Sequence, residues 1–298
     1  MSVLFEISAV EKEIKNGNYN LEDRIMNLRQ LILADSDDHP LIPKETKTHA
    51  LQIWNIAVKL QRTILKLSIP DQSTLRLALI PQLRILAVDI FGKYMDKNSE
   101  DDNSNFLYFL TYAYKSLIDA QNFAYADRLF ETACNIIPTI KLSPDNNQSI
   151  VQLTIWKVQS ELTQYNDYDE ALEILQSLTA KFPIESSLLI SFVYEKSVQS
   201  KSIKWGQFCH SLINQASMVS QEWKNQIDLL LAQLYLNNNE PDKAIQLLSN
   251  SPDSLNKNYL QLKCSILIDP NDETLKDRLL SFIEQTENDR RVLIALCL

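Results

Sequence analysis

The chain has 298 residues, 45% of them hydrophobic, with 29 Lys and Arg against 38 Asp and Glu for a formal charge of −9. That sign argues against a broad DNA- or RNA-binding footprint, which rests on neutralising phosphates with cations. Three scattered glycines, Gly17, Gly92 and Gly206, exclude the usual phosphate-cradling loop, and Leu, Ile, Ala, Gln, Lys and Glu fill long segments that favour helix.

The predicted elements are all helical. An amphipathic helix over 3–14 ends at Asn16-Gly17-Asn18. No basic stretch precedes its apolar residues, so it is not read as a secretory signal. No apolar run approaches the ~20 residues needed to span a bilayer. A second helix over 21–33 stops at DSDDHP, and a long one over 44–67 places Leu51, Trp54, Ala57, Val58 and Leu65 at helical spacing. The next, over 74–95, contains Pro81, which should kink it or mark a new start. The stretch KNSEDDNSN over 97–105 reads as a solvated acidic linker. It would separate an N-terminal helical region, 1–98, from a repeat region, 106–298.

Beyond residue 105 the pattern becomes regular, with helix pairs over 106–137, 149–182 and 223–248. Aligned on Ala126, Ala171 and Ala244, each pair has a large residue four positions on, at Phe130, Leu175 and Leu248. Seven positions on stand Ala133, Leu178 and Ser251; twelve on stand Pro138, Pro183 and Asn256. This is the tetratricopeptide pattern. The alanine lets the second helix of a pair approach the first, the large residue fills the groove between them, and the proline stops the helix. In the first helices, Leu110, Ala113, Tyr114 and Leu117, then Ile155, Val158 and Leu162, then Leu231, Ala232 and Tyr235, point inward; Gln159 and Asp228 fit poorly. The clear units are 107–138, 152–183 and 225–256. A degenerate unit fits 184–217, with Phe208 near the missing alanine slot. The expected fold is an all-α right-handed solenoid of helical hairpins, with the N-terminal helices packed on its first repeat. An apolar helix over 289–298 that stops mid-pattern suggests the N-terminal part of a longer solenoid.

Nothing in the sequence assembles a catalytic or metal centre. His39, His49 and His210 are scattered, and no H-E-x-x-H, G-x-S-x-G or Walker loop occurs. Cys134, Cys209, Cys264 and Cys297 form no C-x-x-C pair and read as reduced, mostly buried small hydrophobes. The chain is expected not to be an enzyme and to need no cofactor. A partner-binding surface is the better candidate. The first helices of stacked pairs line the concave face of a solenoid. Off their core stripe stand Tyr108, Tyr112 and Lys115, then Leu153, Trp156 and Lys157. These are more apolar than a solvated groove requires and could anchor a partner's helix or extended peptide; the alternative is that loops or neighbouring repeats cover them. The Lys/Asn/Arg clamp of chaperone-binding tetratricopeptide domains is not matched by these aromatic and aliphatic positions.

Three segments in order, ALQIWNIAVKL over 50–60, QLRILAVDIF over 82–91 and YAYKSLIDAQNFAYADRLFETA over 112–133, resemble the meiotic crossover scaffold family of tetratricopeptide-like proteins. The resemblance covers 50–133 well and the remainder only as generic helical repeats. It implies a non-enzymatic scaffold on meiotic chromosomes in the nucleus, connecting recombination proteins to the synaptonemal complex. The implied partners are a nuclease-like heterodimer that recognises branched DNA and proteins of the chromosome axis or central region. Direct nucleic-acid or membrane contact is not expected. A tetratricopeptide adaptor of another nuclear or cytoplasmic complex would show the same repeats.

Overall fold

A computed structural model describes residues 3–16, 21–34, 43–64, 75–141, 143–182, 187–216 and 219–286. Among them are fourteen α-helices and no strand. They are α1 (Val3–Lys15), α2 (Glu22–Ala34), α3 (Pro43–Ile64), α4 (Ile80–Tyr94), α5 (Glu100–Asp119), α6 (Phe123–Ile136), α7 (Pro144–Tyr165), α8 (Tyr168–Lys181), α9 (Ser187–Ser200), α10 (Ile203–Gln215), α11 (Gln221–Asn237), α12 (Pro241–Ser249), α13 (Leu255–Ile268) and α14 (Leu275–Thr286). Each packs on helices next to it or one removed in chain order, which makes the fold all-α and of the helical-repeat class. The chain forms two compact units, Met1–Ile184 and Glu185–Leu298.

In the first unit α3 and α4 pack together, α4 packs on α5, and α5 packs on both α6 and α7. Trp54 stacks on Phe109 with ring centroids 4.4 Å apart, and Phe91 lies 5.2 Å from Phe109. Gly92 lets α4 come close to α5: a Cβ there would lie 2.5 Å from Phe106 Cζ. A turn of π-helix over Leu75–Leu79 leads into α4, and Pro81 stands in the first turn of that helix, where a missing N–H costs nothing.

The expected linker over 97–105 is a helix start instead. Ser99 caps α5 by accepting the Asp102 N–H, and Glu100, Asp101 and Asp102 occupy its first turn. Acidic residues there offset the positive end of the helix dipole, so a run that reads as solvated loop is an N-terminal turn. Lys47 of α3 pairs with Asp102, tying the helical region to the first hairpin. The division between the two compact units falls after residue 184.

The repeats have a sharper signature than the alanines alone. Gln121, Asn166, Lys201 and Asn239 all adopt left-handed backbone, with φ of 57°, 52°, 53° and 58°. Each lies in the turn of a hairpin: α5/α6, α7/α8, α9/α10 and α11/α12. In the first and last, the next N–H reaches back to the carbonyl five residues earlier, Asn122 to Leu117 and Glu240 to Tyr235, as in a Schellman cap. Five residues after each left-handed residue stands the small one: Ala126, Ala171, Gly206 and Ala244, all buried. Gly206, not Phe208, therefore fills the slot of the degenerate unit, and a Cβ there would lie 2.7 Å from Leu234 Cδ1.

In the second unit Trp205 is fully buried, and α13 and α14 form a fifth hairpin through Leu262, Leu275 and Phe282. The sequence pattern did not single it out. Pro183 and the helix expected over 289–298 lie outside the described residues.

Candidate interaction surface

Six positions were expected on the partner-facing side of the first helices. Four of them come together in the first unit. Tyr108 and Tyr112 stand one turn apart on α5, with ring centroids 4.7 Å apart, and Tyr108 is 43% exposed. Tyr112 meets Trp156 of α7 edge-on at 5.7 Å. Lys115 places its ammonium 5.8 Å from the Trp156 ring while pairing with Asp119 at 2.6 Å. Tyr112 and Trp156 are half-buried against the core behind them.

The other two positions are corrected. Leu153 is buried at 1% exposure and belongs to the core. The reason is that α7 packs against both α5 and α8, so its apolar face is wider than a single stripe. Lys157 reaches sideways to Asp127 of α6 at 2.7 Å and to Glu161 at 2.5 Å, with its side chain mostly covered. Burial works against its charge, but the bonds to both carboxylates outweigh burial and hold its pKa above the ordinary lysine value. It is an internal strut between α6 and α7.

Beneath the tyrosines lies a residue that sequence reasoning missed. Arg84 of α4 is 5% exposed. Its guanidinium donates to the Tyr112 carbonyl at 2.8 Å, to Ser116 Oγ and to Gln61 Oε1 of α3, and it lies 5.3 Å from the Trp54 ring. No carboxylate pairs with it among the described residues, and burial lowers its pKa from the usual arginine value. A planar fork with fixed donors can join three helices in this way. Only its place in the motif Gln82-Leu83-Arg84 hinted at a role, because nothing in one sequence says which arginine is inside.

Beside the aromatic row, α5 and α7 begin at the same end and enclose a cleft of about 440 Å³. Ser143 caps α7 by accepting the Asn146 N–H, and the Asn146 amide donates to Ser104 Oγ of α5 at 3.0 Å, joining the two helix starts. Tyr108, Tyr112 and Gln152 line the cleft, together with the acidic residues Glu100, Asp101 and Asp145; among the described residues no Lys, Arg or His does.

A second polar cluster carries no catalytic geometry. In the second unit Ser251 donates to Asp228 Oδ2 at 3.3 Å, and His210 Nε2 lies 3.2 Å from Asp228 Oδ1. The aspartate stands in the middle, so the imidazole does not reach the serine as a base. Among the described residues no group of His, Cys, Asp and Glu could hold a metal ion, and no helix is long and apolar enough to cross a membrane.

No protein-family model, no curated protein and no solved structure matches this chain.

Proposed function

We propose that this chain is a non-enzymatic protein–protein interaction scaffold serving meiotic crossover formation and synaptonemal-complex assembly, on meiotic chromosomes in the nucleus. The observation that carries the scaffold reading is the row Tyr108, Tyr112 and Trp156. It runs from one hairpin to the next along two first helices, partly exposed, with a cleft beside it. Aromatic side chains on a rigid helical face offer a large apolar area at small entropic cost, as partner-binding anchors do. The meiotic assignment rests on the resemblance carried by 50–133. It makes recombination proteins, including a branched-DNA-recognising heterodimer, and axis or synaptonemal-complex proteins the expected partners.

The test is a parallel capture from meiotic and vegetative extracts with the purified chain as bait, partners identified by mass spectrometry. Recombination or synaptonemal-complex proteins recovered from meiotic extract alone, and lost with Tyr112→Ala, support the reading. The same partners in both extracts would leave a helical-repeat adaptor of another nuclear or cytoplasmic assembly. Partners that survive Tyr112→Ala and Trp156→Ala together would move the binding surface elsewhere.

A further inference from the structure

We infer that the cleft between the starts of α5 and α7 receives an extended peptide segment of a protein partner through a basic side chain, arginine above all, laid over Tyr108. The inference deepens the scaffold reading and rests on it.

Charge decides the occupant. Glu100, Asp101 and Asp145 line the cleft, no cation does, and none of the three has an ion-pair partner among the described residues. Asp102, the neighbouring acid, is by contrast neutralised by Lys47. The two helix N-termini contribute about +0.5 charge each. Three carboxylates against that leave about −2 at the rim itself; Arg84 beneath the tyrosines and Arg62 of α3, both near enough to Tyr108 to act on its charge, stand on the ring side and are not among the lining residues. The helix dipoles therefore do not account for the acidic rim.

The rings supply the second half of the site. Tyr108 presents the most exposed aromatic surface of the row and borders the cleft. A guanidinium stacks on such a face and keeps its charge there, which an ammonium does less well. The row already holds one cation of its own: Lys115 sits over Trp156 at its far end. That end is closed to a second cation and the acidic end is open, so a bound peptide has one register, its basic residue toward the helix starts. An acidic peptide would meet the three carboxylates directly.

The experiment uses the full chain and four fluorescein-labelled nonapeptides. They share Leu and Ser flanks and differ only at the centre, with Arg, Lys, norleucine or Glu. Fluorescence anisotropy at low salt should rank Arg above Lys above norleucine, with Glu weakest and Arg about tenfold tighter than Glu. Raising the salt should narrow that gap. Glu100→Gln, Asp101→Asn and Asp145→Asn combined should bring the Arg and Glu peptides to within about twofold. Tyr108→Ala, which leaves the carboxylates in place, should weaken the Arg peptide and spare the norleucine one. Circular dichroism checks that each variant is folded; should the triple variant not fold, Tyr108→Ala and Glu100→Gln alone decide. An Arg preference that survives these variants overturns the inference, as does equal binding of the Arg and Glu peptides or no binding of any. Equal binding that is lost with Tyr112→Ala sinks the basic-peptide inference while leaving the scaffold reading standing.

Discussion

Gln121 and Lys201 hold left-handed backbone without being glycine, at a cost of roughly 1 kcal/mol each relative to a residue that lacks a Cβ. Asparagine, at the two equivalent turns, tolerates that region better. Replacing Gln121 or Lys201 by Gly should therefore stabilise the protein by about 0.5–1 kcal/mol, less than the full strain because glycine also frees the unfolded chain. Urea denaturation checks this: the midpoint should rise with the slope unchanged, and Asn166→Gly should gain less. At Arg84, a lysine would keep the charge but cannot reach Gln61, Ser116 and the Tyr112 carbonyl in one plane. Arg84→Lys should cost about 1–3 kcal/mol in the same assay. Aromatics divide by burial: Trp54→Ala should cost about 3–5 kcal/mol, Tyr108→Ala under about 1. Tyr108, Tyr112 and Trp156 were legible because large rings off a core stripe stand out in a helix. Leu153 was misplaced because one sequence does not reveal how many neighbours a helix has, and Arg84 was invisible because its partners are 23 to 32 residues away.

Among the elements, the hairpin is the unit that recurs, and the small residue in its second helix sets how closely the pair packs. Ala126 is 1% exposed, so Ala126→Leu should overpack α5 against α6 and cost about 1–3 kcal/mol, read as a lowered thermal midpoint. The alanine slots could be read from spacing, whereas Gly206 could not. Glycine in a predicted helix looks like an interruption, and its role shows only once Lys201 is seen to be left-handed five residues earlier. The left-handed residues stand 45, 35 and 38 apart, too irregular for a period search to find the third hairpin unaided. The fifth hairpin escaped because α14 carries no Ala or Gly at all and packs through Leu275 and Phe282 instead. The start of α5 is a case where composition misleads: capping serine followed by acids is good helix chemistry and also looks like linker. Ser99→Ala should cost about 1 kcal/mol through loss of the cap, whereas the same change in a solvated linker would cost nothing.

At the scale of the whole molecule, the two units carry different thiols. Cys209 and Cys264 lie in the second unit, and burial pushes their pKa values up to about 12 and about 11. Well below the unfolded value of 9.0 both are neutral in the folded and unfolded protein, so they make no pH-dependent contribution there. Above the unfolded thiol value of 9.0 the unfolded chain gains a charge that the folded unit resists until about 12, and stability falls as pH rises through that window. The second unit should thus unfold at lower urea at pH 10.5 than at pH 8, as followed by circular dichroism, and Cys209→Ala should shrink the difference. In native protein at pH 8 neither thiol should react with a disulfide reagent, since a thiolate is the nucleophile.

No substantial helix packing among the described residues skips more than one helix: α1 meets α3, α2 meets α4, α5 meets α7, α11 meets α13. Every contact that closes a hairpin is therefore available soon after its second helix has been synthesised. Loop-closure entropy stays small at each step, and the core of the first unit draws on no residue of the second, so it does not wait for the second to be complete. A nascent chain of this kind can build from its N-terminus on the ribosome, each finished pair within a unit presenting the surface on which the next pair of that unit condenses.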